Sequence, residues 1–291
     1  MPLPQYARLS LWLLFGALFL ALCIQRQPIH ITEGRYEGAG HFIIHTPAAT
    51  YYYDKAGGGL SRLIDPAGND WIAFKRVPWN EYPASAASAF RGLPNFVFGS
   101  DDSGAGHPGH EMCESKLVDD RTIRTTSKSG KWQWEWTFFE DYAKVEVLKT
   151  DPEQPYWFLY EGTPGGAFDP SRQFYGTSAG GPHRDQLDYY AGNKAFENWQ
   201  WAYFGHEAVE RVLFVVQEEA DELSDTFSYL GNTEAGISSP DGMVVFGFGR
   251  ADGAKPLLRK AHTFYLGFVE YGGKMGKVHR KVDQRVRKLK E

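Results

Sequence analysis

The sequence predicts an all-β chain: a large antiparallel β-sandwich or double jelly roll, closed by one basic amphipathic C-terminal helix. Three observations carry that prediction. Aromatic residues make up 15% of the chain, beside 32 Gly and 16 Pro, a mix that suits strands and tight turns. Beyond residue 30, short β-like runs alternate with turn signals, and helical stretches rich in Ala, Leu, Glu and Lys are scarce. No Pro/Ser-rich linker, low-complexity run or internal repeat divides the 291 residues, so one large domain is the simplest organisation.

The predicted strands begin with His41–Thr46, Thr50–Lys55, Leu60–Asp65 and Asp70–Phe74. Gly57-Gly58-Gly59 and Asp65-Pro66-Ala67-Gly68 punctuate them. Asn95–Phe98, Glu114–Val118 and Arg121–Ser127 follow, and Lys128-Ser129-Gly130 makes a hairpin turn into Lys131–Phe139. Asp141–Thr150 alternates apolar Ala143, Val145 and Val147 against Lys144 and Glu146. Tyr156–Tyr160, Trp201–Phe204, Arg211–Gln217, Thr226–Leu230, Met243–Phe248 and His262–Glu270 complete the set. About a dozen strands with no earlier helix indicate a sandwich or double jelly roll. Three stretches, 79–92, 99–111 and 165–198, read as irregular. Long loops in a compact domain often line a functional site.

The two ends differ from this body. Leu9–Ile24 is an apolar run behind a basic residue, the form of a secretory signal and short for a membrane span of about 20 residues. Residues 1–27 are therefore expected to be a signal peptide or a membrane or lipid anchor. Cys23 behind Leu20-Ala21-Leu22 makes an imperfect lipoprotein box. The chain is accordingly expected to be exported, with membrane attachment through this segment an option. The other cysteine, Cys113, has no partner in the body and reads as a buried structural thiol. Residues 28–273 are assigned to the sandwich and 274–291 to the helix, where Met275, Val278, Val282, Val286 and Leu289 form one apolar stripe. That tail holds eight Lys/Arg and two acids, whereas the whole chain carries −5. An acidic body with basic residues confined to one end argues against nucleic acid as a partner.

Three constellations can carry chemistry. Phe90-Arg91-Gly92-Leu93-Pro94-Asn95 stands before Gly106-His107-Pro108-Gly109-His110. Arg91 presents a planar fork and Asn95 an amide to an acidic sugar, while His107 and His110 can exchange protons near neutral pH. The same histidines can also be turn residues that stabilise a Gly-rich loop. As metal ligands they lack the further donors of a zinc site, so no metal and no cofactor is expected. The second constellation is the strand Tyr156–Tyr160 running into Glu161 and the turn Gly162-Thr163-Pro164-Gly165-Gly166. Tyr160 and Glu161 point to opposite faces of a regular strand, so only one can enter a given cleft. The third is aromatic. Trp132, Trp134 and Trp136 share a face and read as core, whereas Trp199, Trp201 and Tyr203 lie beside a long loop and suit a sugar platform.

The runs Tyr51-Tyr52-Tyr53-Asp54-Lys55 with Gly57-Gly58-Gly59, and Ile64-Asp65-Pro66-Ala67-Gly68-Asn69-Asp70-Trp71-Ile72, resemble those of a group of exported bacterial proteins. So do Arg91–Asn95, Tyr160–Gly166 and Phe246-Gly247-Phe248-Gly249-Arg250. The resemblance implies the galactose-mutarotase-like supersandwich, which sugar epimerases share with domains of polysaccharide lyases and glycosidases. Mutarotases pair a His with a Glu around the anomeric carbon. Their flanking motifs have no match here, so no catalytic assignment follows from the resemblance.

Together these readings give an expected carbohydrate-active protein whose partner is a poly- or oligosaccharide. The leading expectation is a polysaccharide lyase acting by β-elimination on uronic-acid units. In it Arg91 and Asn95 neutralise the carboxylate, His110 is the base and Tyr160 or Tyr203 the acid. The alternatives are an epimerase or glycoside hydrolase that uses Glu161 with His110, and a non-catalytic sugar-binding module.

Overall fold

Alternation of apolar and polar side chains builds most of this chain into strands. In β8 (Gln133–Phe138), Trp134, Trp136 and Phe138 turn inward while Gln133, Glu135 and Thr137 turn out. Arg124 on the neighbouring β7 (Thr122–Ser127) pairs with Glu135 directly across the ladder. The computed structural model describes residues 29–192 and 194–290; the predicted leader, residues 1–27, lies outside them.

Twenty strands and one α-helix are present among the described residues, and eighteen of the strands form two nine-stranded antiparallel sheets. The first sheet contains β1 (His30–Tyr36), β2 (Ala39–His45), β3 (Thr50–Asp54), β4 (Leu60–Ile64) and β5 (Gly92–Asn95) in spatial order. It continues through β10 (Phe158–Gly162), β17 (Met243–Phe248) and β16 (Asp225–Leu230) to β13 (Ala195–Glu197). The second runs from β12 (Gly180–His183) through β11 (Gln173–Thr177), β14 (Trp201–His206), β15 (Arg211–Gln217) and β20 (Thr263–Glu270). It ends on β9 (Ala143–Lys149), β8, β7 and β6 (Cys113–Leu117). The short pair β18 (Arg250–Ala251) and β19 (Lys255–Pro256) stands apart. This is the predicted all-β sandwich.

The inner faces of the two sheets enclose one large core, with Trp71, Trp132, Trp134, Trp136, Tyr53, Tyr160 and Phe246 fully buried. The three alternating tryptophans are core, as expected. A second cluster lies on the outer face of the second sheet, where α1 (Met275–Leu289) lays Val278, Val282 and Val286 over Val212, Phe214 and Tyr265. The predicted stripe is therefore the docking face of the helix. A third, smaller cluster of Trp157, Leu159, Met243 and Val245 occupies the outer face of the first sheet.

The irregular region 165–198 contains three strands that the pattern hides. Gly176 in β11 faces Tyr203 of β14, and a Cβ there would stand 2.4 Å from the tyrosine ring. β12 reads Gly-Gly-Pro-His and forms the sheet edge, where a proline is tolerated. β1 was hidden for a similar reason, since an edge strand with mostly exposed residues shows no apolar alternation. Conversely, the predicted strand Asp70–Phe74 is a turn. Asp70 Oδ1 accepts from the backbone N–H of Ile72 and Ala73, and Asp65 Oδ1 from Ala67 and Asn69. Carboxylates that satisfy local donors replace the ladder. The strand expected at Asn95–Phe98 lies earlier, at Gly92–Asn95, and Phe96 leaves it to stack between Trp134 and Tyr156.

Candidate functional site

The outer face of the first sheet carries the site because strand alternation sends one set of side chains there. On β10, Phe158 and Tyr160 enter the core, and Leu159 and Glu161 emerge on the other side. On β5 the ladder sets Asn95 opposite Leu159 of β10 and Gly92 opposite Glu161. On the far flank Glu161 faces Val245 of β17, whose next neighbour is Ser228 of β16. Above this floor a cavity of about 380 Å³ opens, lined among others by Asn95, His107, His110, Glu161, Tyr189 and Arg250.

Glu161 is the chemical centre of the cavity. It is 6% exposed and accepts a 2.9 Å hydrogen bond from Asn95 Nδ2. Asn95 is itself oriented by Trp157, whose indole N–H donates to its Oδ1 at 3.3 Å. Burial raises the Glu161 carboxyl from its ordinary 4.5 to about 7; the Asn95 bond and the Arg250 charge oppose that rise. Desolvation thus outweighs two stabilising partners, and the group is divided between acid and carboxylate at neutral pH. Arg250 is buried, donates to Ser228 Oγ at 3.1 Å and has its guanidinium over the Tyr189 ring.

The histidine loop is pinned by Asp54. Its Oδ1 accepts from Ala56 and Gly57, and its Oδ2 from Gly109. His107 is buried, with Nε2 2.7 Å from the Phe90 carbonyl, Nδ1 2.7 Å from the Pro108 carbonyl and Nε2 3.9 Å from Glu161. Burial, reinforced by neighbouring His110, lowers its pKa to about 4. The Phe90 and Pro108 carbonyls oppose that shift, because both can accept at once only from a doubly protonated ring. His110 stands exposed at the rim, its ring edge-on to His107 at 5.0 Å. Gly104 has φ +93° and a Cβ there would collide with the His110 ring at 2.3 Å, so a glycine is required beneath it.

The rim is aromatic. Phe90, Phe98 and Tyr190 are each about half-exposed, and Phe98 stacks on Trp157 with centroids 5.0 Å apart. Flat, accessible rings above a polar floor suit the apolar faces of a sugar ring. Among the described residues there is no group of three or more His, Cys, Asp or Glu that could hold a metal ion.

Of the sequence-predicted residues, the fold brings His107, His110, Glu161 and Asn95 together around this cavity. It places the others elsewhere. Arg91 does not reach the cleft: its guanidinium donates to the carbonyls of Ala73, Gly166, Asp241 and Gly242, so it ties loops together. Tyr160 points into the core and donates to the Trp71 carbonyl at 2.5 Å, because Glu161 takes the cleft face of the strand. Tyr160→Phe is accordingly expected to cost about 1 kcal/mol of stability and to leave the cavity lining unchanged, which a melt and a structure of the variant check. Trp199 is buried and donates to the Gly247 carbonyl. Trp201 and Tyr203 lie beneath α1 against His279, so neither is a platform and Tyr203 is not a proton donor to the cleft.

The expected contrast is clear. Trp201→Ala should lower stability by about 3–5 kcal/mol with ligand affinity intact in whatever fraction stays folded. Phe98→Ala should weaken binding of any ligand that stacks on the cavity rim, with little change in melting temperature. The sequence reading missed Arg250, Phe98, Tyr189 and Tyr190. Arg250 closes the Gly247-Phe248-Gly249 run, whose Gly249 has φ +71°, and a charged residue behind such a turn was the available signal. For the tyrosines the signal was regional, since they stand in the long irregular stretch 165–198.

The two-sheet sandwich resembles the galactose-mutarotase-like fold. The solved structures similar to it include HI1317, at 8% identity and TM-score 0.52, covering 84% of this chain and 98% of that one. A galactose mutarotase-like protein from Lactobacillus casei matches at 9% identity and TM-score 0.50, over 79% of this chain and all of the other. The mutarotase candidate YeaD of Salmonella typhimurium matches at 9% and 0.50, over 88% and 99%. At such identities the likeness establishes the fold. No protein-family model and no curated protein sequence matches the chain.

Proposed function

We propose that the cleft binds a sugar ring and that Glu161 moves a proton at it, the chemistry of a mutarotase or epimerase. The observation that carries this reading is a buried carboxyl on the floor of an aromatic-rimmed cavity, with its pKa raised to about 7. A group whose pKa matches the working pH serves as both acid and base. Asn95 fixes the carboxyl's orientation, and His110 at the rim is the second proton carrier within the cavity lining. The mutarotase-like names of the similar structures lend this reading support.

The β-elimination reading loses two of its expected parts, because Arg91 and Tyr160 face away from the cleft. Arg250 and Tyr190 line the cavity and are the groups that would replace them. Anomer exchange of free aldoses, followed by saturation transfer in NMR, tests the proposal. Exchange catalysed by the wild type and lost in Glu161→Gln supports it. Formation of an unsaturated, ultraviolet-absorbing product from a uronic-acid polysaccharide, with no anomer exchange, would replace it with the lyase reading. We further propose export of the chain through its N-terminal segment, tested by locating the protein in cell fractions.

A further inference from the structure

α1 turns a wholly different face to solvent from the one it buries. Opposite Val278, Val282 and Val286, the exposed residues Lys277, Arg280, Gln284, Arg287 and Lys288 recur at three- and four-residue steps along about 16 Å of helix. The element holds six Lys/Arg and one acid, Asp283, which pairs with Arg287 at 2.9 Å. Lys281 and Arg285 are occupied on the flanks, by the Glu270 carbonyl and by Asp141. Lys277 stands in the first turn, where a cation opposes the helix dipole and no acid offsets it. Arg287 and Lys288 in the last turn complement the dipole, so helix stability accounts for only part of the charge pattern.

We propose that this basic face docks the domain on an anionic phospholipid bilayer surface. A straight helix lying on a sheet brings all its outward cations to one plane at once, which matches a planar array of lipid headgroups. The exposed face carries no aromatic ring; the one ring on the helix, His279, turns inward to Trp201 and Tyr203. Stacking on the bases of a single strand or on sugar rings is therefore not available to it. The same chain supplies a second membrane signal in the apolar run Leu9–Ile24, and stable attachment generally takes two. The rest of the chain is acidic on balance against this tail, so an anionic surface favours approach by the tail.

The test is co-flotation of the full chain with vesicles of phosphatidylcholine alone or mixed with phosphatidylglycerol. The apolar run contributes to both, so the difference between the two vesicles isolates the basic face. The wild type is expected to partition about a hundredfold more strongly onto the mixed vesicles at low salt, from about 1 kcal/mol for each of three freely exposed cations. High salt should remove that preference, and so should the triple variant Lys277→Glu, Arg280→Glu, Lys288→Glu, with an unchanged melting curve. Equal partition onto both vesicles, or a preference retained by the variant, overturns the proposal. Salt-sensitive retention on an anionic polysaccharide without any vesicle preference also overturns it, and would assign the face to a chain polyanion.

Discussion

Glu161→Gln is expected to abolish the proposed proton transfer at the sugar while making the protein more stable above pH 7. The amide keeps the shape of the carboxyl and can still accept from Asn95, but it cannot exchange a proton. Loss of a general acid–base typically costs 10²–10⁴ in rate, so the variant should fall about a thousandfold or to background. Ligand affinity should fall far less. The stability gain follows from linkage. Burial raises this carboxyl from 4.5 to about 7 in the folded state, so between those values the folded protein holds a proton that the unfolded chain has released. The contribution is fully present below about 4.5 and is lost as pH rises through 7. At 1.36 kcal/mol per unit, that amounts to about 3 kcal/mol. Denaturant melts of both proteins across this range check it. Parallel stability curves would remove the raised pKa, and full activity in the variant would remove the mechanism.

Arg91→Ala is expected to be strongly destabilising. The guanidinium is 2% exposed and gathers four backbone carbonyls from three segments that are distant in sequence. Truncation leaves those acceptors without their donor and opens a cavity, at a cost of about 3–5 kcal/mol. For a domain of this size that corresponds to a fall in melting temperature of about 10 °C. Arg91→Lys keeps the charge but one ammonium cannot reproduce the fork, so it should recover only part of the loss. In both variants the activity per folded molecule should stay near wild type. A selective loss of activity with an unchanged melting temperature would instead return Arg91 to the cleft.

These two residues show how far the sequence reached into the site. Both were singled out, since Arg91 beside Asn95 and Glu161 behind a bulky strand are visible chemistry. Glu161 reached the cleft because period-2 alternation sets Glu161 and Tyr160 on opposite faces, a local rule. Arg91 did not, because which way a loop-borne guanidinium turns depends on Gly166, Asp241 and Gly242, far along the chain. Trp201 and Tyr203 show the same divide. Their β-character was legible, but the helix that covers them belongs to residues 275–289, more than seventy positions away.

The sequence by itself determined what local chemistry determines: strand alternation, hairpin turns at residues such as Gly130, and the valine stripe of the helix. It thereby determined the sandwich. Tertiary structure alone decided which sheet face stays open, that Arg250, Phe98 and Tyr190 surround Glu161, and that burial lifts this carboxyl toward neutral pH. Desolvation has no signature in a residue's neighbours along the chain, because it is produced by side chains that only folding brings together.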